Sequence, residues 1–481
     1  MSPAHGMSRR AWLQALAAIA AAGGPLAAGP ARADDPEGIW DVVVVGSGMA
    51  GHCAAISARL EGARSVLMLE KAPVIGGHTA MASGSLAFVD PPRQAAQGIV
   101  DSVEKFTADA RAVGNDIDEP LVRLIAGRSA GDVSWLVRQG VRFSPTIFRA
   151  FGNLQKRCVT AFGNMGARRY ILDLHARSRS LGVESRLLSR VTAIRGETGD
   201  FLLEVQDLRR MAGEALRARR VVLATGGFTA NLALRMYFHP EPTHDLPTTA
   251  NPHGVLDDPA TGDGLYLARE LGAAWVDMDK IVLLSYWGGR MLDYIGGEVY
   301  VNAEGERFVD ETASTGDIAR AIARLPERVM YVITDAQSIK GVNAGAKLTA
   351  GNIHRADSIE EMARDMGVSS MALRRTLERF NEAARSGSPD EFGRTAYTQT
   401  IEKPPFYWGR EQLMMHSTLG GLHIDARARV LRADGSAIDG LYAAGETAGG
   451  IWGSDRLGGT GLLQCLVMGR IAGAEAARRV G

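Results

Sequence analysis

The stretch Asp41-Val-Val-Val-Val-Gly46-Ser-Gly48-Met-Ala-Gly51, answered by Ser65-Val-Leu-Met-Leu-Glu70-Lys71, decides the fold. Four consecutive valines form the β-branched apolar run of a strand buried on both faces. Gly46, Gly48 and Gly51 space a GxGxxG turn. The first glycine permits the tight bend, the second lets backbone approach a pyrophosphate, and the third lets the next helix pack on the sheet. Met49 and Ala50 open that helix, whose N–H groups and positive dipole end favour phosphate. Glu70 ends the second strand where a carboxylate accepts from a ribose hydroxyl, with Lys71 beside it. A strand before, a helix after and an acid at the expected interval make this a dinucleotide site.

The chain returns to the same pattern far downstream. Leu441-Tyr-Ala-Ala-Gly445-Glu446 reads as a buried strand ending in glycine and an acid. Arg456-Leu-Gly458-Gly459-Thr-Gly461-Leu462-Leu463 then leads into an amphipathic helix to Arg479. Between the two ends, Gly76-Gly77-His78-Thr79-Ala-Met-Ala-Ser83-Gly84 is a loop suited to backbone lying against a ligand. The spacing predicts helices over 99–113, 119–139 and Gly166–Leu181, with strands at Val183–Leu187 and Val191–Ile194. Arg219–Ala224 is a further strand, ending in Thr225-Gly226-Gly227. Gly262-Asp263-Gly264 opens a helix over Leu265–Leu271.

From about residue 273 the texture changes to short strands (Glu298–Asn302, Val329–Thr334) and helices (Ser314–Arg324, Ser358–Met366, Ser369–Ala384). The expected class is α/β: a Rossmann-like nucleotide-binding domain, residues 34–272 and 417–481, interrupted by an α+β capping domain, 273–416.

Lys+Arg and Asp+Glu both number 54, which gives no charge argument for nucleic acid or an anionic membrane. Cys53, Cys158 and Cys465 form no CxxC, no CxxCH and no metal spacing. Residues 1–33 read as a twin-arginine export signal: Ser8-Arg9-Arg10-Ala-Trp12-Leu13, an alanine-rich weakly apolar run, then Ala31-Arg-Ala33 as cleavage site. Gly23-Gly24-Pro25 argues against a membrane-spanning helix there. Cleavage removes three arginines and no acid, leaving 51 basic against 54 acidic residues, a net charge of −3. The expected address is periplasmic, with no membrane span in the mature chain.

Taken together, these motifs resemble the fumarate reductase and succinate dehydrogenase family of flavoproteins, including its soluble periplasmic branch. The resemblance adds Asn302-Ala-Glu-Gly305-Glu-Arg307-Phe308, Phe392-Gly-Arg394 and His416-Ser-Thr-Leu-Gly420-Gly421, and covers nearly the whole mature chain. It implies FAD, held by the turn and loop residues named above together with Val191, Thr225, Gly226, Gly227, Asp263, Gly445, Glu446 and Gly461–Leu463. It implies hydride transfer between the flavin and a carbon beside a carboxylate or carbonyl. His416 and Arg456 match the family's ligands for substrate oxygens, and a planar guanidinium suits a carboxylate because it donates two parallel hydrogen bonds.

The chain departs from the family in four places. The arginine proton donor of fumarate-reducing members is absent from Asp310–Asp317, and the capping-domain histidine is absent from residues 276–282. Tyr294 stands where succinate dehydrogenases place a catalytic arginine, and tyrosines carry protons in related ketosteroid dehydrogenases. His78 stands where membrane-bound members bond FAD covalently; covalent attachment and simple hydrogen bonding both remain open. The leading expectation is an FAD-dependent oxidoreductase of CH–CH groups acting on a small carboxylate or carbonyl substrate. A separate carrier, such as a c-type cytochrome or a quinone-linked protein, would exchange its electrons. The alternatives are a ketosteroid-type dehydrogenase using Tyr294 and a flavin-binding electron-transfer subunit without turnover.

Overall fold

The computed structural model describes residues 38–163, 165–197, 199–239, 243, 245–252, 257–286, 288–341 and 344–478. The expected export signal lies outside them. The valine run forms β1 (Ile39–Val45), buried along its whole length, and leads through the glycine turn into α1 (Met49–Leu60) and β2 (Val66–Leu69). Helices α2 (Val103–Gly114), α3 (Glu119–Arg138) and α4 (Arg168–Ser180) follow. Asp118 caps α3, accepting from Leu121 N–H. Then come β3 (Glu184–Arg186), β4 (Ser189–Glu197), β5 (Asp200–Asp207), β6 (Ala212–Leu223) and the short α5 (Asp263–Arg269).

The chain next builds a second sheet from β7 (Ile281–Ser285), β8 (Val299–Val301), β9 (Val329–Thr334), β10 (His354–Ala356) and β11 (Phe406–Thr418). Helices α6 (Thr315–Ala323), α7 (Ile359–Met366) and α8 (Ser370–Ser386) lie within this stretch. β12 (Arg429–Leu431), β13 (Ala437–Ala443) and α9 (Thr460–Arg478) return to the first body.

The first sheet has the order β12-β13-β6-β1-β2-β3, with the β4–β5 hairpin paired onto β6. Its centre is parallel: β1 pairs in parallel with β2 and β6, and β13 with β6. The strand that comes from residue 437 is thus hydrogen-bonded beside one from residue 223, which closes the sheet around the long excursion. Helix α9 lies on α1 because Gly469 and Gly473 carry no side chain. A Cβ at either would strike the Ala50 or Ala54 backbone. One core surrounds this sheet, while separate apolar clusters fill the second body.

The second sheet is antiparallel, in the order β7-β11-β9-β8 with β10 on β11. β11 is its hub, and the sequence reading contained no strand there. Gly409-Arg-Glu interrupts the apolar alternation, and Gly409 is needed because the Gly289 backbone passes against it. β11 also runs across the expected boundary at 416/417. The β4–β6 ribbon was half seen: only Val191–Ile194 and the end of β6 carried an apolar signal, since the rest exposes alternate charged side chains. The motif residues of the second body form its charged interior. Glu311 accepts from Arg307 Nε and Nη2 (both 2.8 Å), Arg394 Nη1 (2.7 Å) and Tyr300 N–H (3.0 Å). Asp390 closes the cluster on Arg307 at 2.6 Å.

Candidate active site

A cleft opens at the carboxyl ends of β1, β2, β6 and β13, the usual ligand position in an open α/β sheet. Of the residues the sequence singles out, Gly46, Gly48, Met49, Ala50, Glu70, Lys71, Gly77, His78, Thr79, Val191, Thr225, Gly226, Asp263, Gly445 and Glu446 line it. Gly51, Gly76, Ser83, Gly84, Gly227, Gly461, Leu462 and Leu463 lie outside that lining. Several of these glycines serve packing behind the wall. A Cβ on Gly51 would strike the Gly46 carbonyl, and one on Gly227 would strike Thr418 and Glu446. Sequence reasoning missed Ser47, Arg190, Ala260 and Cys465 in the lining. Ser47 sits between two motif glycines and Cys465 one turn beyond Gly461, so both had a positional signal; Arg190 had none.

The cleft fits a dinucleotide. A Cβ on Gly46 would strike the Ala224 backbone, so that glycine is required by the fold itself. One on Gly48 would meet nothing nearer than Thr79 Oγ1 at 3.7 Å and Gly76 O at 3.8 Å. The space beside Gly48, at an α1 N-terminus whose N-cap glycine has no side chain and where Thr79 Oγ1 accepts from Met49 N–H (3.2 Å), suits a pyrophosphate. Glu70 is held by Ser47 N–H (2.9 Å), Ser47 Oγ (2.6 Å) and Ala72 N–H (2.8 Å), with capacity left for a ribose hydroxyl. Lys71 donates to Thr261 Oγ1 (2.5 Å) and Asp263 (3.0 Å). On the other side, Gln464 donates to the Gly445 and Ala448 carbonyls at 2.9 and 3.0 Å, fixing the loop that carries Glu446. Glu446 accepts from Thr418 N–H at 2.9 Å.

Beyond Glu446 the cleft meets the second body, where β11 delivers His416. Thr249 Oγ1 lies 3.0 Å from His416 Nδ1, and Nε2 has no hydrogen-bond partner among the described residues. Burial, then the charges of Arg456 and His78, push the His416 pKa down to about 3, so the ring is neutral. The tautomer in which the Thr249 hydroxyl donates to Nδ1 would leave Nε2 as a donor. Arg456 donates to Ser417 Oγ at 3.3 Å, and its guanidinium lies flat against Gly461. Among the described residues no carboxylate forms an ion pair with it, and burial lowers its pKa.

The neighbouring Asp455 ties the two bodies together. Its Oδ1 accepts from Arg456 N–H and its Oδ2 from Gly316 N–H, both at 2.7 Å, at the first turn of α6. Burial raises the Asp455 pKa against these two hydrogen bonds. Gly152 is required there as well, because a Cβ would strike Thr315 Oγ1.

Two residues have other surroundings. His78 Nε2 lies 2.6 Å from Asp258 Oδ1, and Asp258 also accepts from Thr248 Oγ1 at 2.5 Å. Burial alone lowers the His78 pKa, but the hydrogen bond and charge of Asp258, with Glu446, raise it overall. Asp258 is lowered in turn, with His78 outweighing burial. Tyr294 belongs to an apolar cluster with Met291, Leu292 and Tyr407 inside the second body. Its hydroxyl accepts from Ile339 N–H at 3.3 Å. The structure brings His416 and Arg456 together and places Tyr294 in a different neighbourhood.

Residues 41–462 match the family profile of the FAD binding domain. A probable fumarate reductase of Shewanella frigidimarina is 32% identical over 93% of this chain and 76% of its own length. A urocanate reductase of Eggerthella lenta is 31% identical over 92% of this chain and 76% of its own. Among solved structures, the open conformation of a flavocytochrome c3 fumarate reductase superposes with a TM-score of 0.71. It is 28% identical, and the match covers 100% of this chain and 83% of that one.

Proposed function

Because the chain belongs to the FAD-binding-domain family of CH–CH oxidoreductases, we propose that it transfers hydride to or from a carbon beside a carboxylate, with Arg456 as carboxylate clamp. The observation that carries this reading is an enclosed guanidinium with no ion-pair partner among the described residues. Glu446 and Asp455 offset part of the cost of its burial without forming an ion pair with it, and a substrate carboxylate supplies that pair. His416, neutral and held by Thr249, donates a second hydrogen bond to substrate oxygen. FAD, when bound, supplies the hydride chemistry. Gly48 and the α1 N-terminus hold its pyrophosphate, Glu70 its ribose, and Glu446 with the Gly445 loop lies toward the reacting end. The second body covers this end through Asp455 and Gly316 and excludes water from it.

A steroid-type reaction with Tyr294 as proton carrier has less support, since the Tyr294 hydroxyl is engaged inside the second body. We also propose that His78 holds FAD without a covalent bond. His78 Nε2 is already engaged by Asp258 Oδ1 at 2.6 Å, which holds the ring as a hydrogen-bonding neighbour. Electrons pass to or from a separate carrier. Arg9 and Arg10 direct export to the periplasm, and no helix among the described residues is long and apolar enough to cross a membrane.

Anaerobic titration of the purified flavoprotein against paired saturated and unsaturated acids tests the reading. One pair should bleach or restore the flavin absorbance stoichiometrically. A protein that responds to neutral enones or steroids but to no acid would refute the carboxylate clamp. Acid precipitation should leave the yellow colour in the supernatant; colour in the pellet would establish a covalent bond to FAD. Gly48→Val should yield protein largely free of flavin, because the side chain fills the pyrophosphate space.

A further inference from the structure

We propose that the dipeptide Thr248-Thr249 is the positioning element of the site: the Thr249 hydroxyl fixes the hydrogen of His416 on Nε2, and the Thr248 hydroxyl fixes Asp258 and, through it, His78. The proposal rests on the carboxylate reading above and gives positioning roles to two residues that no motif singles out.

Backbone pairing brings the dipeptide to the site. Met415 N–H donates to Pro247 O (2.9 Å) and Thr249 N–H to Met415 O (2.8 Å), so Thr248 lies in a parallel bridge beside Met415 of β11. Met415 is fully buried in an apolar cluster with Leu246 and Ile281, which anchors the pairing. Successive side chains of an extended segment point to opposite sides. One hydroxyl therefore reaches His416, the residue after Met415, and the other reaches the cleft wall that carries His78. Both threonines are β-branched, which restricts χ1 and presets the two hydroxyls.

The donor and acceptor roles follow from the partners. Thr248 Oγ1 accepts from Asn251 N–H (3.1 Å), so its own hydrogen goes to Asp258 Oδ2, 2.5 Å away. Asp258 Oδ1 accepts from Ala260 N–H (2.9 Å) and from His78 Nε2 (2.6 Å). The carboxylate is thus held on both oxygens, and it sets the orientation of the His78 ring. On the other side, Arg456 and His78 both oppose a positive charge on His416, so the ring is neutral and one of its nitrogens must accept. A substrate carboxylate only accepts, and Nε2 is the nitrogen without a partner among the described residues. Thr249 serves that carboxylate by donating to Nδ1, which leaves the ring hydrogen on Nε2. Two adjacent hydroxyls thereby serve the substrate side and the cofactor wall separately.

The test uses the FAD-loaded protein with isotope-labelled histidine, its ring signals assigned with His416→Gln and His78→Gln. Nitrogen–proton correlation spectra locate each ring hydrogen without turnover, and flavin fluorescence measures the Kd for FAD. Wild type should show a neutral His416 with its hydrogen on Nε2. Thr249→Val should bring in the form with the hydrogen on Nδ1 and raise KM for the acid that titrates the flavin about three- to tenfold, as loss of one neutral hydrogen bond does. Its His78 signals and its Kd for FAD should match wild type. Thr248→Val should leave the His416 signals in place, speed exchange of the His78 Nε2 hydrogen with water, and raise the Kd for FAD about threefold or more. Thr249→Ser and Thr248→Ser, which keep the hydroxyl, should restore the wild-type signals. A wild-type His416 hydrogen on Nδ1, or Thr249→Val spectra identical to wild type, overturns the proposal. Valine variants that disturb both histidines alike overturn it too, because a loosened loop accounts for that. If wild type oxidises or reduces no acid, the carboxylate reading fails, and the ring spectra by themselves then decide the positioning roles.

Discussion

Arg394 is fully buried and Arg456 partly buried, and the surroundings of the two guanidiniums are opposite. Arg394 donates to Ala396 O, Glu298 O, Gly296 O and Glu311 Oε2 at 2.7–3.0 Å, and the rings of Phe380 and Tyr397 lie 4.8 Å from it. Arg456 has one side-chain hydrogen bond, to Ser417, and no carboxylate ion pair among the described residues. A charge whose partners are all supplied by its own chain holds the fold. A partly buried charge with no carboxylate ion pair of its own can take one from outside. Both arginines belong to motifs of equal prominence in the sequence, and only their partners tell them apart.

The largest expected effect breaks the satisfied side of this contrast. Glu311→Ala leaves Arg394 without its carboxylate partner and Arg307 with Asp390 alone, and stranding a buried charge in this way costs about 3–5 kcal/mol. Thermal unfolding should show a large drop in Tm, while the fraction that remains folded keeps its substrate KM. A Tm equal to wild type would mean that the cluster is ornamental. On the unsatisfied side the outcome reverses. Arg456→Lys keeps the charge but loses the two-pronged donor, so the transition state should lose about 2–4 kcal/mol. That is roughly a 30- to 1000-fold fall in kcat/KM with little change in Tm. Unchanged kcat/KM would place the substrate's oxygens elsewhere.

The two regions were also unequally legible in the sequence. β1, the glycine turn and Glu70 were readable because each glycine or acid answers a local steric or hydrogen-bonding need that neighbouring residues reveal. The expected strand at Val329–Thr334 matches β9 residue for residue. β11 was invisible because its pairing with β7, β9 and β10 is set by tertiary context, and Gly409 breaks its pattern. At the site, Arg456 and His416 were legible only through family resemblance; no local spacing links residues 40 positions apart. The engagement of Tyr294 by Ile339 N–H, and of His78 by Asp258 from 180 residues away, depends on loop packing that no periodicity encodes. Departure from a family motif marked where to look and did not say what the substituted residue does.

A smaller effect should follow from loosening the seam between the regions. Asp455→Ala removes the acceptor for Gly316 N–H at the start of α6, which by analogy with helix caps is worth about 0.5–2 kcal/mol. The second body should then close less firmly, raising KM several-fold and speeding proteolysis near residue 316, with flavin content unchanged. A loss of kcat as deep as that of Arg456→Lys would show instead that the Asp455 carboxyl takes part in the chemistry.

The smallest expected effect lies at the His78–Asp258 pair, which stands between the contrasted cases: a charge pair inside the cleft wall, satisfied by its own chain yet facing the ligand. The His78 pKa is raised above its ordinary 6.5 and that of Asp258 lowered below its ordinary 3.8. The histidine's contribution to stability is therefore fully present below pH 6.5 and fades as pH climbs through its raised folded value. The aspartate's contribution is present above pH 3.8 and fades as pH falls through its lowered folded value. Between these limits the pair is intact. Wild-type Tm should then decline from slightly acid into alkaline pH, and Asp258→Asn, which removes the partner charge, should flatten that slope. Differential scanning fluorimetry from pH 5 to 9 on both proteins checks the sign. The same slope in both would mean that another group titrates and that the His78–Asp258 pair does not set the pH dependence.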